Sequence, residues 1–296
     1  MKWSFSVLAG IGLMVLLANS AWAQSPAPSS PPWTKVANIE YAKVGDKSLT
    51  LDLYLPKNAA KPMPVVMWVH GGGWHAGSKE SVGVLSLVPL GFAVASINYR
   101  FSQEAVFPAQ IYDCKAAVRW LRAHAPEYGF NPDKIGAAGD SAGGHLVALL
   151  GTTARNKDLE GDEGNPGISS QVQAVGDYYG PTNFVVGPDN PFPTNKNTLD
   201  LVTGLLGGSD PAKAREASPL FYVTAQACPF YIVHGDRDPT VPLQQSIDLN
   251  AALQKAGVPS TLYIVKGGGH GFNDPTSAHA LVDFFRKYLQ SAPEGK

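Results

Sequence analysis

The sequence predicts an α/β fold, a doubly wound and mostly parallel sheet of eight strands, and three observations carry that expectation. Apolar runs of strand length alternate with stretches of helical periodicity along the body of the chain. Residues 64–69 form one such run, apolar without alternation, as expected of a strand buried on both faces, and residues 92–98 form another. Each residue suspected of chemistry falls just past the carboxyl end of a strand, where open parallel sheets place their sites.

Taken in order, the N-terminus reads as an address. Lys2 gives a positive start, residues 5–17 are apolar and uncharged, and Ala21-Trp22-Ala23 offers small residues where signal peptidase needs them. The apolar run is shorter than the roughly 20 residues that span hydrocarbon. Residues 1–23 are therefore expected to be a signal peptide cleaved after Ala23, making the protein secreted or periplasmic with no stable membrane anchor. Residues 24–32, rich in Ser, Pro and Ala, are expected to be a disordered lead-in, and residues 33–291 a single catalytic domain. A formal charge of -1 and the lack of a Lys/Arg cluster argue against nucleic acid or an anionic membrane as partner.

Residues 36–41 and 49–55 resemble two antiparallel edge strands separated by a turn at Gly45-Asp46. Ile111, Ala116, Val118, Trp120 and Leu121 give the stretch between Pro108 and His124 one apolar side, a helix ended by Pro126. A strand over 133–138 and a helix over 144–150 follow. Strands at 172–177, 230–233 and 261–265 and helices at 243–255 and 277–289 complete the pattern. Between them, residues 182–219 are an insertion rich in Pro, Asn and Gly, a small lid with a short helix near 199–206.

Gly139-Asp140-Ser141-Ala142-Gly143 joins the strand at 133–138 to the following helix in the form G-x-S-x-G. Small flanking residues let the backbone take a strained turn that exposes Ser141 at a helix N-terminus. His70-Gly71-Gly72-Gly73-Trp74 ends the strand at 64–69 and leaves backbone N–H groups uncovered. Gly72, Gly73 and Ala142 are the expected oxyanion donors.

A serine nucleophile needs a base, and the base needs an acid to orient it. Of the seven histidines, His270 stands directly after a strand among small neighbours, which suits a mobile imidazole. His70 and His234 precede glycines and are assigned structural hydrogen bonds. His145 is assigned to packing, His124 and His279 to helix surfaces, and His75 to solvent or a pocket wall. After the strand at 230–233, Asp236 sits in the tight turn and Asp238 further out before a proline; Asp238 is the expected partner of His270. The order Ser, Asp, His is the one expected on such a sheet. Trp74 and Tyr179 are candidate substrate-stacking rings, as are Tyr178 and Phe184, with core or lid packing as the alternative. No cluster has metal-ligand spacing, and no cofactor is needed.

With Tyr99-Arg100, Phe107-Pro108-Ala109-Gln110, the run from Asp113 to Arg122 and His270-Gly271-Phe272 added, the chain resembles an α/β-hydrolase esterase of the hormone-sensitive-lipase-like kind. It is most similar to the small bacterial bifunctional feruloyl and acetylxylan esterases. The resemblance covers most of residues 35–289 and implies hydrolysis of a small-molecule or polysaccharide-linked ester. It departs from the wider group in leaving no room for a helical N-terminal cap. An amide hydrolase such as an arylformamidase or exopeptidase, and a non-catalytic binding protein, are the alternative readings. Cys114 and Cys228 are expected at opposite edges of the sheet and unpaired, because a disulfide needs Cα atoms within about 7 Å.

Overall fold

The computed structural model describes Met1, residues 31–187, Asn190 and residues 192–290; the expected signal peptide beyond Met1 and the expected lead-in through residue 30 lie outside the described residues. The chain opens with β1 (Trp33–Val44) and β2 (Lys47–Pro56), followed by β3 (Met63–Val69), a 3-10 turn at Leu85–Leu90 and β4 (Ala93–Ile97). Helices α1 (Ala109–Ala123) and α2 (Ala125–Tyr128) lead to β5 (Phe130–Asp140), α3 (Ala142–Thr152) and β6 (Ala174–Tyr178). The insertion holds α4 (Lys196–Leu206), α5 (Pro211–Glu216) and a 3-10 turn at Pro219–Tyr222. The chain continues through β7 (Phe230–Gly235), α6 (Gln244–Lys255), β8 (Ser260–Val265) and α7 (Pro275–Phe285), which runs into a π turn at Arg286–Gln290.

The eight strands form one sheet in the order β1-β2-β4-β3-β5-β6-β7-β8. β1–β2 and β2–β4 pair antiparallel and the remaining pairs are parallel. This is the expected α/β-hydrolase arrangement, with one correction: β2 is not an edge, because β4 pairs its other side. Side-chain alternation divides the core. On β3, Val65, Met67 and Val69 pack with α1, α3 and α6, whereas Val66 and Trp68 pack on the other face with Leu281 and Phe285 of α7. A strand buried on both faces has no polar side to show, which is why it reads as a continuous apolar run.

Register brings the strand ends level. Val69 pairs with Gly139, Asp140 with Tyr178, Tyr178 with Val233, and Gly235 with Val265. The loops that follow β3, β5, β6, β7 and β8 therefore leave the same edge, about 4.8 Å apart per strand.

The insertion is more helical than expected. Asn195 and Thr198 form a reciprocal capping box at the start of α4, and Asp210 caps α5 through the Ala212 N–H at 2.8 Å. Its root is held by α6: the Gln245 side chain accepts from the Thr182 and Asn183 amides at 2.8 and 2.7 Å and donates to Asn190 at 2.7 Å. Cys114 and Cys228 are both free and buried.

The polar residues of the family-like motifs on α1 are structural. Arg100 grips the fully buried Asp113 carboxylate through Nε and Nη2 and reaches Glu163 at 3.0 Å. Lys115 and Arg119, both buried, converge on Glu160 at 3.1 and 2.7 Å. Removing one partner of a buried pair strands the other charge, at a cost of about 3–5 kcal/mol. Arg100→Met is expected to lower the unfolding free energy by about that amount, measured by urea denaturation, with part recovered when Asp113→Asn is added.

Candidate active site

Ser141 is the hinge of the β5–α3 elbow. Its backbone is left-handed, φ 53°, and its N–H donates to the Tyr178 carbonyl of the neighbouring strand at 2.8 Å. The turn needs Gly143, where a Cβ would overlap the Val69 carbonyl oxygen at the end of β3. Ser141 Oγ lies 2.8 Å from His270 Nε2, and His270 Nδ1 lies 2.7 Å from Asp238 Oδ2. Asp238 can only accept, so Nδ1 carries the proton and Nε2 is left to receive the serine hydroxyl. The sequence placed these three residues on separate loops, and the fold brings them into one hydrogen-bonded line.

The loop after β3 crosses beside the elbow. Gly72 and Gly73 have left-handed backbones, φ 110° and 61°, and neither amide donates to a backbone carbonyl among the described residues. Ala142 is the first residue of α3, so its N–H points out of the helix start with no partner within the helix. The three predicted donors thus flank Ser141 on two loops. Asp140, the variable position of the elbow motif, accepts the Gly71 N–H at 2.9 Å and ties the two loops together. Three of the four non-glycine residues with positive φ among the described residues, Trp74, Ser141 and Tyr179, stand here. Backbone strain of this kind persists where the surrounding structure over-determines it.

The family model BD-FAE matches residues 51–253, about two thirds of the chain. The chain belongs to the BD-FAE family. It is 33% identical to the esterase LipQ of Mycobacterium tuberculosis over 257 residues, covering 83% of this chain and 59% of LipQ; the chain thus spans about three fifths of that relative's length. Among solved structures, a truncated carbohydrate esterase from gut microbiota superposes with a TM-score of 0.80 at 33% identity, covering 89% of this chain and 99% of that one. A bifunctional GH43-CE of Bacteroides eggerthii gives a TM-score of 0.77 at 33% identity, covering 86% and 35%.

Within this BD-FAE chain the acid is the most tightly held member of the line. The Asp238 side chain is wholly buried. Burial alone would raise its pKa, but hydrogen bonds from His234, His270 and the Val241 amide hold the carboxyl well below the usual range. His234 has the structural bonds expected of it, to Ser246 at 2.7 Å and the Val241 carbonyl at 2.9 Å, and its Nε2 also lies 3.3 Å from Asp238 Oδ2. Nε2 faces two acceptors, so it carries the proton while Nδ1 accepts from the Ser246 hydroxyl. Thr240 and Val241 amides occupy the other carboxylate oxygen at 2.7 and 2.9 Å. Asp236 accepts the Gly267 N–H at 2.6 Å and steadies the loop that carries His270.

Trp74 is corrected. It is only 3% exposed, with its indole N–H on His145 Nδ1 at 3.1 Å and its ring edge-on to Phe184, so no face is offered to a ligand. His145, pinned by the Ala217 carbonyl at 2.7 Å, is fully buried and its pKa is pushed down to about 4. It remains a neutral acceptor for Trp74. Tyr179 is half-buried, and its ring stands 4.9 Å from that of His270. Leu201 of α4 covers Gly73, a contact that nothing in the sequence announces.

Asp177, near the end of β6, is fully buried, which its sequence context does not mark. Burial pushes its pKa from 3.8 to about 8, only partly opposed by the Gly180 N–H that it accepts at 3.0 Å. Between about pH 4 and 8 the unfolded chain releases a proton that the folded chain keeps, so stability falls as pH rises through that window. The melting temperature of wild type is expected to drop across it relative to Asp177→Asn, whose profile lacks this slope; parallel profiles would refute the assignment.

Proposed function

We propose that the chain is an exported serine carboxylesterase that hydrolyses short acyl or aromatic acyl esters, namely acetyl and feruloyl groups on plant polysaccharide. The observation that carries this reading is the continuous line from Ser141 through His270 to Asp238, at 2.8 and 2.7 Å. His270 Nε2 takes the hydroxyl proton as Ser141 Oγ attacks the ester carbonyl carbon. Asp238 holds the imidazole in the receptive tautomer and stabilises the imidazolium. The amides of Gly72, Gly73 and Ala142 receive the oxyanion, a contribution worth about 100- to 1,000-fold per donor.

Collapse of the tetrahedral intermediate breaks the bond to the leaving oxygen, which takes the proton from His270. Water then attacks the acyl-enzyme by the same route in reverse. Tyr179, beside His270, is the ring on which a substrate group would rest. The carbohydrate side of the reading is supported by the solved relatives described as a carbohydrate esterase and a bifunctional GH43-CE. Export rests on residues 1–23, and N-terminal sequencing of secreted protein is expected to begin at Gln24.

Acetate release from acetylxylan and ferulate release from feruloylated oligosaccharide are expected in preference to hydrolysis of long-chain lipid esters. Ser141→Ala should abolish nitrophenyl acetate turnover, and Asp238→Asn should lower kcat about 10,000-fold by favouring the wrong imidazole tautomer. Equal rates in wild type and Ser141→Ala would end the esterase reading.

A further inference from the structure

A cleft of about 310 Å³ opens against the elbow on the α7 side of the sheet. Asp140, the chain neighbour of Ser141, and Tyr179, whose ring packs on that of His270, line it together with Tyr178, Phe272 and Asp274. In acyl transfer from an ester, the base that receives the serine proton delivers it to the leaving oxygen, so the leaving group must lie on the histidine side. Phe272 and Asp274 belong to the same connection that carries His270 into α7.

The lining has a definite chemistry. No Lys, Arg or His side chain lines the cleft among the described residues, so nothing there would pair with a phosphate or carboxylate. Aromatic walls alternate with carboxylates. Tyr178 and Asp274 are close enough that the carboxylate charge adds to burial in pushing the phenol pKa up to about 12, so the hydroxyl stays a donor. Asp274 uses Oδ2 to cap α7 through the Ser277 N–H at 2.7 Å. A carboxylate accepts through both oxygens, which leaves Oδ1 for a ligand. Aromatic surface beside hydrogen-bonding groups of both kinds, without cationic charge, fits a neutral ring that carries several hydroxyls.

We propose that this cleft is the leaving-alcohol subsite, that it takes a neutral saccharide ring, and that Tyr178 and Asp274 set the preference for a sugar over a simple alcohol. The proposal rests on the esterase reading above. It adds which side of Ser141 holds the sugar and which residues grip it.

Binding can be read without turnover. Xylotetraose free of acyl groups is titrated calorimetrically into Ser141→Ala, then into the same variant carrying Tyr178→Phe or Asp274→Asn. Asparagine still caps a helix, so Asp274→Asn removes the charge and keeps α7. Saturable binding weakened about tenfold by either change is expected, the size of one hydrogen bond to a charged or phenolic group. Absence of saturable binding, or affinity unchanged in both variants, would overturn the subsite even if acetate is released normally.

In the Ser141 enzyme, the ratio of kcat/KM for acetylated xylotetraose to that for nitrophenyl acetate, two esters with one acyl group, is expected to fall about tenfold in either variant. An equal loss on both esters would overturn the proposal by showing a purely structural effect. Failure of the underlying esterase reading shows separately, as wild-type protein that releases no acetate from either ester.

Discussion

The backbone of α3 is pressed against the end of β3 so closely that no side chain fits between them at Gly143. The Val69 carbonyl that sets this limit is also the last strand residue before the glycine loop. One contact therefore fixes the distance between the nucleophile and the amides that flank it. Asp140 makes the fixation two-sided by taking the Gly71 N–H across the same gap. The left-handed Ser141 is tolerated because the strands on either side of β5 hold both ends of the turn, with its own N–H committed to Tyr178.

From that corner the polar groups are graded by how firmly they are held. Asp238 accepts from two imidazoles and two backbone amides and is wholly buried. The His270 side chain is 22% exposed and bonded to the acid on one side and the serine on the other. The arrangement runs from a fixed anion to a freer imidazole to a half-buried hydroxyl. Proton transfer needs such an order: the charge that stabilises the imidazolium is already oriented before the reaction begins.

The sequence revealed most where one residue type is forced by one backbone requirement. Gly143 and Ser141 are such positions, and so are the strands whose two buried faces leave an uninterrupted apolar run. It revealed least where a side chain acts through a partner remote in sequence. His234 and Asp238 are four residues apart, yet the bond between them depends on a turn that brings the Val241 carbonyl under the same imidazole. Trp74 was misplaced because an aromatic beside a glycine loop looks like a ligand platform; His145, 71 residues later, turns it into core. Asp177 has the same character: an acidic residue ending a strand carries no mark of the depth at which it is buried. The helices of the insertion were visible only in part, since their caps, Asn195 and Asp210, sit in a stretch whose composition otherwise reads as loop.

The insertion is closed at its root by a side chain that does not belong to it. Gln245 of α6 receives Thr182 and Asn183 and holds Asn190, and the Leu220 N–H donates back to the Thr182 carbonyl at 3.1 Å, so the two ends of the excursion are pinned together beside α6. A loop with fixed ends costs only slowly more entropy as it lengthens. The segment beyond that clamp, including the α4 wall over Gly73, is in this sense an exchangeable part. Its length and lining can change between relatives while the serine, imidazole and carboxylate keep their positions, because among the described residues none of the three takes a hydrogen bond from it.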